Sequence, residues 1–442
     1  ESPQRRIRRV LFRLYALEDA GLLETVFQPA QESDEANRET DSDTSASQQE
    51  IEDPRLTLSA QNVASVYFEE CQPQDTDVNA MRKQLQMQNL TLLEGTARFL
   101  NIDELQIEQT NGKKSVIEPN NVIIATGSSY VREQGIAYDG QRIHDAESIF
   151  QIEEVPQSIV IAGEHETPVQ FAIAFALMGS RVTLYAPGEN LFEGLDESIA
   201  QHLDQRLQHY GVNVIFNHTV SAAEWDEESQ QVRISLQGIE DHLADHFLWL
   251  GKRVANISKL DVGEAGVELD EDQNIVADQH FNTSVAHIYA VGDVIRSPIY
   301  ESTRKDQGRL AAGYMFSLQD TERLSDGYPV GIYTLPEVAF YGYTEAQAKE
   351  ERIPCIGATA TYASIPYGLV SANPYGFLKL VVHREMEEVI GVHIIGRSAQ
   401  EIIHFGMQLV EDKVQVGRII GTVFNGKTLH ELYHYAAMQA HA

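Results

Sequence analysis

The sequence predicts an α/β protein with a separate α+β unit at its C-terminal end. Three observations predict it. Ser158–Tyr185, SIVIAGEHETPVQFAIAFALMGSRVTLY, reads as strand, tight turn, helix, strand. Two further apolar runs, Asn121–Gly127 and His287–Asp293, end in glycine turns, as strands of a parallel sheet do. From Tyr328 onward short strands and helices follow one another without the βαβ spacing, which marks an α+β unit.

Taken in order, Arg5, Arg6, Arg8, Arg9 and Arg13 interleave with Ile7, Val10, Leu11, Leu14 and Leu17 at helical spacing. A basic amphipathic helix could touch a partner or a membrane surface, but an ordinary surface helix with its arginines in water is the expectation. Residues 29–54 are acidic and nearly free of apolar groups, so they predict a disordered surface insert. Residues 56–87 predict helix, followed by strands at 91–94, 96–99 and 105–108 and a hairpin turned at Asn111-Gly112. Asn121–Gly127 predicts a buried strand.

In Ser158–Tyr185, Ile159–Ala162 suits a strand buried on both faces, and Val169–Met178 an apolar helix closed by Gly179. A dinucleotide-binding βαβ unit carries G-x-G-x-x-G in this turn; here those positions are Gly163, His165 and Pro168. Beyond it come a helix at 196–210, a strand at 212–215 and alternating antiparallel strands over 219–248. Residues 307–318 predict helix. The C-terminal unit predicts strands near 331–334, 338–341, 358–365, 377–383 and 389–396, and helices near 344–351, 398–410 and 428–438.

Length and composition bound the function. A chain of 442 residues needs more than one core. Its 66 acidic and 33 basic residues give a net charge of −33, which argues against nucleic acid and anionic membranes as partners. Cys71 and Cys355 form neither a metal motif nor a C-x-x-C pair, so a reducing cytoplasm is expected. No apolar run is long enough to span a bilayer, and no signal peptide is evident. Among the histidines, His383, His393 and His404 read as structural. His430 and His434 with Glu431 lack a third metal ligand and read as a solvated helix face.

Four stretches together resemble the pyridine nucleotide–disulfide oxidoreductases, flavoproteins with two dinucleotide-binding domains: Ala125-Thr126-Gly127; Tyr289–Ile295 followed by Asp306–Arg309; Gly331–Glu337 with Gly342; and Leu380–His404. The resemblance covers nearly the whole chain and is nearest to the family's transhydrogenase branch. It implies an FAD-type domain from residues 1–150 and 277–325, split by an NAD(P)-type Rossmann-like domain at 151–276, then a dimerisation domain at 326–442. It implies FAD at Ala125, Thr126, Gly127, Gly292 and Asp293, with Asp293 on the ribityl chain, and NAD(P) at Gly163, Gln170 and Gly251. Gln170 stands where the family has a glutamate close to the nicotinamide. A homodimer through the C-terminal domain is also implied.

The departures shape the expectation. The family's opening strand, G-x-G-x-x-G turn and C-x-x-x-x-C pair have no counterpart near Glu1. FAD is therefore expected to bind poorly unless that turn is supplied elsewhere. His165 brings a ring, Pro168 replaces the third glycine, and Glu164 and Glu166 bring negative charge to the phosphate position; the ribose-reading acid is absent near Tyr185. NAD(P) binding is therefore disfavoured. The C-terminal Asn425, Thr428 and Glu431 fit the transhydrogenase pattern, and Asn425 and Glu431 are the only weak catalytic candidates; the His-Pro pair of disulfide reductases is absent. The expectation is a degenerate, non-catalytic relative of the transhydrogenases serving as dimeric scaffold, partner subunit or regulator, with an unidentified protein partner conceivable. The alternative is an FAD-dependent transfer of hydride between NADPH and NAD.

Overall fold

A computed structural model describes residues 6–11, 82–85, 87–88, 90–163, 165–192, 194–295, 301–318, 327–370 and 374–442. The acidic insert at 29–54, Cys71, Glu164 and most of the helix expected at 56–87 lie outside them.

Four strands come first: β1 (Gly95–Phe99), β2 (Leu105–Gln109), β3 (Lys114–Ile117) and β4 (Val122–Ile124). The first three form an antiparallel sheet, turned between β2 and β3 at Gly112, whose φ is +79°. Residues 91–94 are not a strand. β4 pairs in parallel with β15 (Ile288–Ala290), and no other described strand joins them. Ile123 is 37% exposed, so the strand expected to be buried is covered only in part by the described residues.

The middle of the chain builds a five-stranded sheet in the order β6 (Ile143–His144), β13 (His246–Leu250), β7 (Ser158–Gly163), β8 (Arg181–Ala186), β9 (Val212–Phe216), parallel throughout. The period-2 alternation of β7 divides the packing. Ile159 and Ile161 face one core, Val160 and Ala162 the other. β10 (Val220–Asp226), β11 (Gln231–Leu236) and β12 (His242–Ala244) form an antiparallel sheet that shares the second core. The alternation over 219–248 thus held until β13, which turns back into the parallel sheet.

On the other face lies α2 (Glu166–Leu177), buried from Thr167 onward. A helix apolar all round must be covered all round. The covering includes α1 (residues 6–11), whose Ile7, Val10 and Leu11 belong to the same core. This corrects the expected surface helix. The side chains of Arg6 and Arg8 are only 13% and 16% exposed, and they pair with Glu147 and Glu166. Arg6 also stacks 3.9 Å over the Phe150 ring. Apolar burial on one side and charge pairing on the other give this short helix its place.

The helix α3 (Glu197–His209) is capped by Asp196, which accepts from the Ser198 N–H. The C-terminal unit is an antiparallel sheet in the order β16 (Val330–Ile332), β17 (Val338–Gly342), β20 (Val389–Gly396), β19 (Gly376–His383), β18 (Cys355–Thr361). Leu378, Leu380 and Val382 face α7 (Ala399–Glu411) and α9 (Glu431–His441), while Phe377 and Ile395 face the middle unit. Lys379 shares the face of Phe377. Its Nζ lies 2.8 Å from Asp196 and also pairs with Glu345, so one nearly buried cation ties the cap of α3 to the C-terminal sheet. No described helix is long and apolar enough to cross a membrane. No group of three or more metal-ligating side chains occurs among the described residues.

Candidate functional site

The parallel sheet reverses its winding between β7 and β13, and open α/β sheets bind ligands at the carboxyl ends of strands at such a switch point. A cavity of about 650 Å³ opens next to this point, at the carboxyl ends of β7 and β8. It is lined by Gly163, His165, Glu166, Pro168 and Val169 from the β7–α2 turn and by Tyr185–Gly188 and Asn190 from the end of β8 and the loop beyond it, with Ile332 and Phe340 contributed by the C-terminal sheet.

The turn keeps a glycine backbone with a histidine in it. His165 has φ +70° and ψ −164°, a conformation normally left to glycine, and its side chain gives α2 no capping hydrogen bond. The chain path of the phosphate turn has therefore outlasted the loss of its glycine. Pro168 is buried in the first helical turn, whose N–H groups have no intrahelical partner, so its missing N–H costs no intrahelical bond. Glu166 lines the cavity, but Arg8 Nη2 stands 3.5 Å from its carboxylate. The charge expected to repel a phosphate is compensated. No carboxylate stands at Tyr185 or Ala186, where β8 ends; the first one after the strand is Glu189.

Gly163 is a packing glycine: a Cβ there would lie 2.0 Å from the Leu250 carbonyl oxygen on β13. Gly251 lies beside the Trp249 indole, whose Nε1 would be 2.5 Å from an added Cβ. Gln170 is fully buried, with neither its amide nitrogen nor its oxygen hydrogen-bonded. Such an amide is costly unless something satisfies it.

The second set of residues stands at the carboxyl ends of β4 and β15. Ala125, Thr126 and Gly127 follow β4, and Gly127 (φ +72°) has only the Asn256 amide within 4.0 Å of an added Cβ. Gly292 (φ +75°) gives its N–H to Gln307 at 2.7 Å. Asp293 follows, its side chain 6% exposed. One carboxylate oxygen accepts from Arg304 Nε at 2.7 Å; the other accepts from Ser128 Oγ at 3.1 Å and Arg253 Nη2 at 3.3 Å. Arg253 also donates to Ser128 Oγ and O, which fixes the hydroxyl proton toward Asp293. Among the described residues Gly127 thus has room above it, close to a buried, oriented carboxylate, whereas Gly292 lies against the Arg304 side chain. Sequence reading picked out Asp293 but not the arginines around it; Arg253 lay unread in Gly251-Lys252-Arg253.

The weak catalytic candidates fall elsewhere. The Asn425 carbonyl accepts from Thr428 Oγ1, and Glu431 accepts from the Lys427 N–H, so both brace the loop before α9. Neither lines a cavity described above. The structural histidines fare as expected where the contacts are resolved: His393 Nε2 bonds the Tyr343 carbonyl, and His383 Nδ1 accepts from two turn amides. A further acid stands apart from both sites. Burial raises Glu337 to about 7 at the start of β17.

Residues 37–311 match the family model for pyridine nucleotide-disulphide oxidoreductases, and residues 328–437 match the dimerisation domain of that family. The soluble pyridine nucleotide transhydrogenase of Mycobacterium tuberculosis is 32% identical over 363 residues, covering 82% of this chain and 77% of its own. That of Vibrio parahaemolyticus is 32% identical over 351 residues, 79% and 75% of the two chains. Two solved structures share the fold. The HOCl-induced flavoprotein disulfide reductase RclA of Escherichia coli aligns with a TM-score of 0.75 at 22% identity, over 84% of this chain and 86% of its own. LpdA of Mycobacterium tuberculosis aligns at 0.77 and 20%, over 86% and 83%. These findings overturn the expectation that FAD is doubtful and NAD(P) disfavoured. The matched span includes both glycine turns, and the family and the two transhydrogenase relatives are named for pyridine nucleotides. His165, Pro168, Glu164 and Glu166 taken together suggested a lost phosphate site, whereas the turn keeps its glycine-like path at His165 and Arg8 pairs with Glu166. By its two family matches and its transhydrogenase relatives, this chain belongs to the pyridine nucleotide-disulphide oxidoreductase family.

Proposed function

We propose that the chain is a flavin-dependent oxidoreductase of the transhydrogenase type, exchanging hydride between two pyridine nucleotides. The observation that carries this is the cavity at the β7–β8 edge, with its glycine-like turn kept at His165 and its acid paired with Arg8. α2 would meet the pyrophosphate with its first backbone N–H groups. Gln170, with donor and acceptor unspent, would meet the nicotinamide end. Gly127, Gly292 and Asp293 would hold the flavin nucleotide, with Arg253 and Ser128 keeping the Asp293 carboxylate turned toward it. A bound flavin supplies the two-electron step, accepting hydride from a reduced nicotinamide and passing it to an oxidised one. The transhydrogenase relatives at 32% identity support nucleotide-to-nucleotide transfer over dithiol–disulfide exchange.

The division into an FAD-type unit (1–150 with 277–325), an NAD(P)-type unit (151–276) and a dimerisation unit (326–442), a homodimeric state and a cytoplasmic setting belong to the same proposal. A non-catalytic scaffold is the competing reading, favoured by the histidine forced into a glycine conformation at the phosphate turn. Purified protein decides between them. A stoichiometric flavin band in the visible spectrum, with NADPH-dependent reduction of thio-NAD, is the expected result. Colourless protein that oxidises neither NADH nor NADPH would sink the catalytic reading.

A further inference from the structure

Glu166 is the first residue of α2 and lines the cavity, at a helix end whose leading N–H groups favour an anion. An uncompensated carboxylate there would oppose any phosphate. The compensation comes from far away in the chain. Arg8 reaches Glu166 at 3.5 Å, and both side chains are largely buried. Its guanidinium also lies 5.0 Å from the centre of the Tyr333 ring, next to Ile332 in the cavity wall. Ile7, Val10 and Leu11, all buried in the core of α2, hold α1 and so fix the arginine's direction of approach.

We propose that Arg8 is a positioning residue for pyridine nucleotide binding, cancelling the charge of Glu166 so that the N-terminus of α2 can accept a pyrophosphate. This rests on the nucleotide-binding reading above and adds a determinant outside the βαβ unit. In the full-length protein, calorimetric titration with NADH and with ADP-ribose, which carries the pyrophosphate without the nicotinamide, separates the possibilities. Arg8→Gln exposes the acid and should weaken both ligands about tenfold at low salt, less at high salt. Arg8→Lys, which keeps the charge, should stay within about threefold of wild type. Glu166→Gln should bind at least as tightly as wild type, and Arg8→Gln/Glu166→Gln should recover most of the lost affinity. Rescue by the second substitution is what a merely structural arginine would not show. An Arg8→Gln protein that binds as wild type does, or a double variant as weak as the single one, overturns the proposal. A wild-type protein that binds neither ligand overturns the nucleotide-binding reading itself, and this inference with it.

Discussion

The β7–β8 edge and the β4–β15 edge end in the same kind of turn, a glycine at the carboxyl end of a parallel strand, yet they rest on different amounts of protein. β7 is the central strand of five and is buried on both faces, covered by α2 on one side and by the β10–β11–β12 sheet on the other. β4 and β15 are a pair within the described residues, with Ile123 on their surface 37% exposed. At the first edge the glycine is required by neighbouring backbone, because Gly163 touches β13. At the second it is required by conformation, because Gly127 is left-handed with open space around it. One edge is held by packing. The other also packs, through Ile124, Ile288, Ala290 and Val294, but adds ion pairs at the nearly buried Asp293, which carry a desolvation cost. Losing glycines at a packed edge can therefore leave the turn intact, as His165 shows.

The sharpest way to break the contrast is Gly163→Ala. The added Cβ would meet the Leu250 carbonyl at 2.0 Å, and a strand backbone cannot step aside as a side chain can. A loss of about 3 kcal/mol is expected, near the upper end for overpacking. Urea denaturation measures it. A variant as stable as wild type would show that β7 and β13 are not held in close register.

The opposite end of the same sheet supplies a pH test. His246 opens β13, and its Nε2 lies 3.0 Å from Arg142 Nη1, which can only donate. His246 must then accept at Nε2 and carry its proton on Nδ1, 2.9 Å from His144 Nε2. Both rings are buried and neutral, and burial lowers each to about 4. The unfolded chain takes up protons near 6.5 and the native state does not. Stability therefore falls as pH drops from 6.5 toward 4, by roughly 3 kcal/mol once the mutual coupling of the pair is discounted. Asp139 and Asp145 are both lowered, so their contributions are lost only below the ordinary carboxylate range. Glu337, raised to about 7, works in the opposite sense: its contribution is full below its unfolded value and is lost as pH rises toward 7. The difference between wild type and His144→Leu/His246→Leu in urea midpoints at pH 7.5 and 4.5 isolates the pair. Equal pH slopes in the two proteins would remove this account.

Much of this architecture was legible because burial leaves a period in the sequence. The apolar runs of β7 and α2 and the strands of the C-terminal sheet all stand where the sequence placed them, within a few residues. β18 begins at Cys355 rather than near 358, right after Pro354, because its ladder with β19 extends back to His383. What could not be read was pairing between distant charges. The arginines of α1 show a helical face but not Glu147 and Glu166. Asp293 shows a turn but not Arg253 and Arg304. Charge signs are local in sequence, whereas their partners are set by tertiary packing. For the same reason the Glu166 carboxylate looked prohibitive until its partner was visible.

Gly127→Ala carries the smallest effect on folding and the most informative one on chemistry. No backbone opposes the added methyl, so its cost is that of a left-handed alanine, about 1 kcal/mol. The methyl would nevertheless stand in the space above Thr126 and Gly127 where the flavin nucleotide is proposed to lie. A small fall in the urea midpoint with a large fall in flavin content, read as the visible-to-ultraviolet absorbance ratio of purified protein, is the expected pair of results. Flavin retained at wild-type stoichiometry would place the cofactor away from this turn. A loss of stability matching that of Gly163→Ala would mean that the β4 edge is packed as tightly as the β7 edge, and the contrast between them would disappear.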